Sequence, residues 1–118
     1  MAMFRIFLGA VFAAIAIYTI ITGTSHGWNL VPVFFGDMAA MNWPGQFNFD
    51  FFTFLLLSGL WLAWRHHFTP AGLLLGIIGV FGGMLFLSAY LLVASIRAKG
   101  DIAEIMLGRA RASAIGKQ

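Results

Sequence analysis

The sequence predicts an all-α membrane protein with three transmembrane helices, an amphipathic interfacial helix in the first loop and a short basic C-terminal surface helix. Of its 118 residues 61% are hydrophobic and 9% charged, too apolar a balance to wet the surface of a soluble globule. Spans of about 20 apolar residues fit this length three or at most four times, within one domain. Glycine also recurs along residues 70–96: Gly72, Gly76, Gly79 and Gly83 fall on one helical stripe. Helices in lipid gain little by hiding apolar surface from one another, and a stripe without side chains lets two backbones approach. The stripe is therefore expected to be a packing seam.

The first span covers about residues 4–22, roughly 28 Å of helix. Arg5 lies in its first turn and can snorkel to the headgroups. Gly9, Ala13 and Ala16 form a small-residue stripe suited to receive the glycine seam. The start imitates a signal peptide, but residues 22–27 offer no convincing small-x-small cleavage site, so a retained helix is expected. The loop from Gly23 to Gln46 has no Lys or Arg yet carries Trp28, Phe34, Phe35 and Trp43. Asn29 can cap a helix over about residues 30–42 with Pro32 in its first turn. That helix is expected in the membrane interface with Trp28 and Trp43 at headgroup depth; a re-entrant segment is the competing reading. Trp43-Pro44-Gly45 has the chemistry of a turn that ends it.

The second span covers about residues 47–64, with Trp61, Trp64 and Arg65 as interface anchors at its close. Thr69 can cap and Pro70 can open the next helix, which predicts a tight antiparallel hairpin. The third span, about residues 71–96, would be roughly 39 Å long and should tilt or project. Arg97 and Lys99 complement its dipole and Gly100 is placed to end it. In the tail, 101–118, Asp101 and Glu104 have capping-box spacing, and Ile102, Ile105 and Met106 give a short surface helix an apolar side. Arg97, Lys99, Arg109 and Arg111 are expected at lipid headgroups.

Three crossings put the termini on opposite faces. Five of the seven Lys and Arg lie after residue 96 and favour a cytoplasmic C-terminus, while Arg5 and Arg65 on the other face argue against it. The long loop without a basic residue looks translocated, which would reverse the answer. The weight falls on the C-terminus inside. A basic tail beside a span is an orientation signal, so nucleic acid is discounted as a partner.

Little chemistry is legible. The chain has no cysteine, no nucleophile-plus-base set and no phosphate loop, so an enzyme is the least favoured class. Asp50 is the ionisable residue that stands inside the apolar zone, with Asn48 and Thr53 beside it as a candidate polar or ion site. The plainer reading makes it an acid in the first turn of a helix, stabilised by the dipole. His26 falls on the opposite face from His66 and His67, so no shared metal site and no cofactor is predicted; ligation of haem or chlorophyll by a single histidine is left open.

The segment Gly27-Trp28-Asn29-Leu30 before Phe34-Phe35, then Phe47-x-x-Asp50, Ser58 and a closing Trp64-Arg65, resembles a family of small three-span bacterial membrane proteins of unknown function. The resemblance covers residues 6–100 and implies topology and no activity; a bacterial inner-membrane location is expected. Where that family has an acidic residue after the second span, this chain has Arg65-His66-His67. The expected role is a non-catalytic packing or accessory subunit, associating with itself or other membrane subunits through the glycine seam. The alternative is a protomer of a small oligomeric transporter or channel using Asp50.

Overall fold

The computed structural model describes residues 1–116; the last two residues of the tail lie outside the described residues. The chain folds as six helices: α1 (Ala2–His26), α2 (Val31–Ala39), α3 (Trp43–Arg65), α4 (Pro70–Arg97), α5 (Ile102–Leu107) and α6 (Arg109–Gly116). α1, α3 and α4 are each long and apolar enough to cross a membrane, as in a multi-pass membrane protein.

α3 starts several residues before the expected boundary. The Asn42 side chain accepts the Gly45 amide at 2.9 Å and Pro44 sits in the first turn. Trp43-Pro44-Gly45 thus opens a helix where turn chemistry suggested an end, because a cap followed by proline is a start signal. Thr69 accepts the Gly72 amide at 3.1 Å and caps α4 in the same way. α2 begins at Val31 with no side-chain cap, so Asn29 does not serve as one. It runs antiparallel along the first half of α3. Asn48 Nδ2 donates to the Phe34 carbonyl at 3.1 Å, Gly45 is pressed on the Asp37 carbonyl, and Phe34 meets Phe52 edge-on.

Gly72, Gly76 and Gly79 are buried, but their partner is α3 and not α1. A methyl placed on Gly76 would stand 2.8 Å from the Gly59 carbonyl oxygen, and one on Gly59 would stand 2.7 Å from the Gly76 carbonyl oxygen. Leu62 covers Gly79, while His66 and Ala63 cover Gly72. On α1, a methyl on Gly9 would meet nothing within 4 Å, Ala13 is exposed and Ala16 half-buried. The proposed pairing with α1 is therefore corrected: the seam is consumed inside the chain, closing the α3–α4 hairpin.

Gly83 does something different from its three predecessors. Its φ of 59° and ψ of −147° interrupt α4, in a region open to glycine almost alone. The helix folds back there. His66 lies against Gly72 near the start of α4 and hydrogen-bonds Tyr90 Oη at 2.6 Å, although a straight helix would hold residues 72 and 90 about 27 Å apart. The arms, 70–82 and 84–97, are each about 20 Å long. α3 touches both, through Gly59 and Gly76 on one side and Trp61 and Tyr90 on the other. α1 also packs on α4, with Arg5 donating to Ser95 Oγ at 3.2 Å and to its carbonyl at 2.9 Å.

The fold-back brings the end of α4 to the start of the chain. A methyl on Gly100 would lie 3.4 Å from the Met1 side chain. Arg5, Arg65, Arg97, Lys99, Arg109 and Arg111 all gather at this one end, which corrects the expectation that Arg5 and Arg65 face away from the tail.

A backbone contact this close tolerates no side chain. Gly76→Ala should lower stability by about 1–3 kcal/mol through overpacking, whereas Gly9→Ala should be neutral or stabilising by up to about 1 kcal/mol. Thermal unfolding in detergent followed by circular dichroism measures the difference, and equal midpoints would contradict the Gly59–Gly76 contact.

Candidate functional site

The polar groups of the molecule converge where α3 ends. A helix leaves its last four carbonyls without partners, and a six-residue helix has few others. In α5 each of those carbonyls receives a side-chain donor. Arg65 Nη2 donates to Glu104 at 3.1 Å and Nε to Ile105 at 2.8 Å; Trp61 Nε1 donates to Met106 at 3.0 Å. Arg111 Nη1 reaches Leu107 at 3.5 Å and the Trp64 carbonyl at 2.7 Å, with its guanidinium 3.8 Å above the Trp64 ring. Trp61, Trp64 and Arg65, expected to anchor α3 at the interface, also hold the tail.

Arg65 Nη1 also donates to Tyr90 Oη at 2.8 Å. The Tyr90 hydroxyl lies 2.6 Å from His66 Nε2 and, while accepting from Arg65, has its own proton free to give to that nitrogen, the arrangement that suits a neutral imidazole protonated on Nδ1. Burial, then the charges of Arg65 and His67, hold His66 below the usual imidazole range. Arg65, His66 and Tyr90 line a cavity of 430 Å³ between the arms of α4. Leu75, Phe86 and Val93 line its apolar part, while Arg97 and Glu104 join Arg65 at the polar end. A second, more apolar cavity of 570 Å³ runs between α3 and the second arm beside Gly83. Ser58 lines it, and its hydroxyl is buried without a hydrogen-bond partner.

The residues of the expected ion site do not converge. Asn48 is engaged by Phe34, Thr53 Oγ1 donates to the main-chain carbonyl of Asp50 at 2.6 Å, and the Asp50 side chain is exposed, outside both cavities and without a partner among the described residues. Among the expected headgroup residues, Arg111 is committed to Trp64 and Arg109 lies 3.4 Å from Glu104 while 88% exposed. Arg97 and Lys99 are exposed. Trp28 folds over Gly23, and Trp43 is exposed beside Phe47. No group of three or more metal-ligating side chains occurs among the described residues. Tyr90 and Gly59 are the important residues that sequence reasoning missed. Gly59-x-x-x-Ala63 is a small-residue pair that marked α3 as the seam's partner; nothing local marked Tyr90, which depends on the fold-back.

No family model matches the chain, and neither a curated protein nor a solved structure does.

The neutral His66 gives this end a pH dependence. Its folded pKa lies below the unfolded value near 6.5, so the folded state resists protonation. The stabilisation is complete above pH 6.5 and is lost as pH falls through the lower, folded pKa. The melting temperature in detergent should hold steady above about pH 7 and drop as pH falls below about 6.5, and His66→Gln should flatten that drop.

Proposed function

We propose that this chain is a non-catalytic subunit of an assembly in the bacterial inner membrane, crossing the bilayer with α1 and α3 and dipping into it with the hairpin of α4. Asp50 carries the proposal. It lies about 10 Å along α3 from Trp43 and about 22 Å from Arg65, inside an apolar band about 30 Å thick. An exposed carboxylate at that depth is costly unless another group meets it. No side chain of its own chain does so among the described residues, which favours a polar partner on a neighbouring subunit. The arginines and His66 at the other end support a structural role, since Arg65, Arg111 and His66 are spent on joining helices.

Placing the basic end in the cytoplasm satisfies the positive-inside rule with all six described cations and puts both termini there. The opposite end, with Trp28, Asp37 and Trp43, has no Lys or Arg. The cysteine-free sequence permits a direct test with single cysteines. An impermeant thiol reagent should label Met3→Cys and Ser113→Cys from the cytoplasmic side and Ser25→Cys from the outside. Labelling of residues 3 and 113 from opposite sides would restore a straight third crossing and refute the re-entrant placement.

Native mass spectrometry of gently extracted protein tests the assembly. The wild type should appear in a complex, and Asp50→Leu should reduce the assembled fraction at least about tenfold, a loss near 1.4 kcal/mol of coupling. A monomeric wild type overturns the proposal. Because Asp50 lies outside both cavities of its own chain, a transport pathway using it would form only between copies. That second reading is marked by a homo-oligomer whose pH-dependent flux in vesicles disappears in Asp50→Asn.

A further inference from the structure

We infer that the cavity between the two arms of α4 binds the phosphodiester headgroup of an anionic membrane lipid, with Arg97 as its ion-pair partner. The cavity is graded along its length. Leu75, Phe86 and Val93 make walls that only an apolar chain satisfies, and the mouth presents Arg65, Arg97 and Glu104. A membrane lipid has that polarity; a soluble metabolite or a bare ion does not. The volume of 430 Å³ falls within the range of small-molecule sites. The mouth also opens at the end where all the described Lys and Arg gather, the level at which headgroups stand if that end faces the cytoplasm.

The charge balance selects the headgroup. Arg65 and Arg97 contribute two positive charges, and the one carboxylate beside them, Glu104, already lies 3.4 Å from Arg109, which leaves an excess of positive charge for an anionic ligand to neutralise. A phosphodiester carries one negative charge. Arg65 is fixed by Tyr90 and by two carbonyls of α5, so it lends its charge from a set position. Arg97 has no hydrogen bond or ion pair among the described residues and is free to close on a phosphate oxygen. The site lies at the opposite end of α3 from Asp50, so the outcome here and the assembly of subunits are separate measurements.

The test is lipid retention by the purified full chain in detergent, read by native mass spectrometry during titration with phosphatidylglycerol or phosphatidylcholine. The wild type should prefer phosphatidylglycerol by about fivefold or more, the effect of one basic residue near a membrane surface. Arg97→Ala should abolish the preference and Arg97→Lys should restore part of it. Leu75→Trp, which fills the apolar part without changing charge, should weaken binding of both lipids. Lys99→Ala, outside the cavity, should leave the preference intact. The inference fails if the wild type does not discriminate, or if Lys99→Ala costs as much as Arg97→Ala, which would signal diffuse surface charge. It also fails if inorganic phosphate at millimolar concentration displaces the lipid, because the apolar walls would then contribute nothing.

Discussion

Between Gly59 and Gly76 nothing separates α3 from the first arm of α4 except their own carbonyl groups. Once that arm is held at such close range, the break at Gly83 returns the second arm along a different side of α3. The return brings Tyr90 to Arg65 and His66, and Ser95 to Arg5. A straight α4 would carry these groups to the far end of the molecule. The glycines therefore perform two unlike tasks: absence of a side chain permits the contact at 76, and absence of a Cβ permits the backbone conformation at 83.

The tail depends on that arrangement. A six-residue helix is too short to persist alone in water, because nucleation consumes what few hydrogen bonds it forms. Trp61, Arg65 and Arg111 supply α5 with four side-chain hydrogen bonds at its last turn, and those from the charged arginines contribute about 1.5–3 kcal/mol each. Arg65 is the central donor, and its guanidinium fork reaches two carbonyls and a phenol at once. Lysine, with its single ammonium, lacks the geometry to reach all three. Ile105 is buried by the same docking, so the apolar face of the tail contributes to the protein's own packing.

The helical class, the three apolar segments and the capping residues Thr69 and Asp101 were legible in the sequence because each rests on local chemistry. The partner of the glycine seam was not. Gly9, Ala13 and Ala16 present the same small-residue signature as Gly59 and Ala63, and periodicity alone does not choose between two equally small stripes. The fold-back was harder still. Gly83 continues the spacing of Gly72, Gly76 and Gly79, so its pattern announces a seam, whereas its role is set by a positive φ that leaves no periodic trace. The neighbouring Gly82 was the weak signal: two adjacent glycines lower the cost of breaking a helix. Gly83 is buried against Phe51 and Leu55 of α3 as a seam residue would be, and it also breaks the helix, which reverses the course of everything after residue 83 and with it the relation of Arg5 and Arg65 to the tail.

With the helix reversed, the charge distribution becomes coherent. A third straight crossing would divide the basic residues between two faces and make Arg5 and Arg65 compete with the tail for the cytoplasm. In the folded-back arrangement all the described cations act at one face, and the opposite loop, rich in aromatic side chains and free of Lys and Arg, meets no electrostatic barrier to translocation. Arms of about 20 Å reach two thirds of the way through a core of about 30 Å. Beyond their tip α1 and α3 continue without α4 between them, and Asp50 lies on α3 at the level of that tip, next to Phe51, which meets Gly83. The half of the molecule that carries the cations is thus closed by its own hydrogen bonds, while the other half exposes the Asp50 carboxylate on an apolar helix. That asymmetry, created by one glycine, is why the proposed contact with other subunits belongs to the half away from the tail.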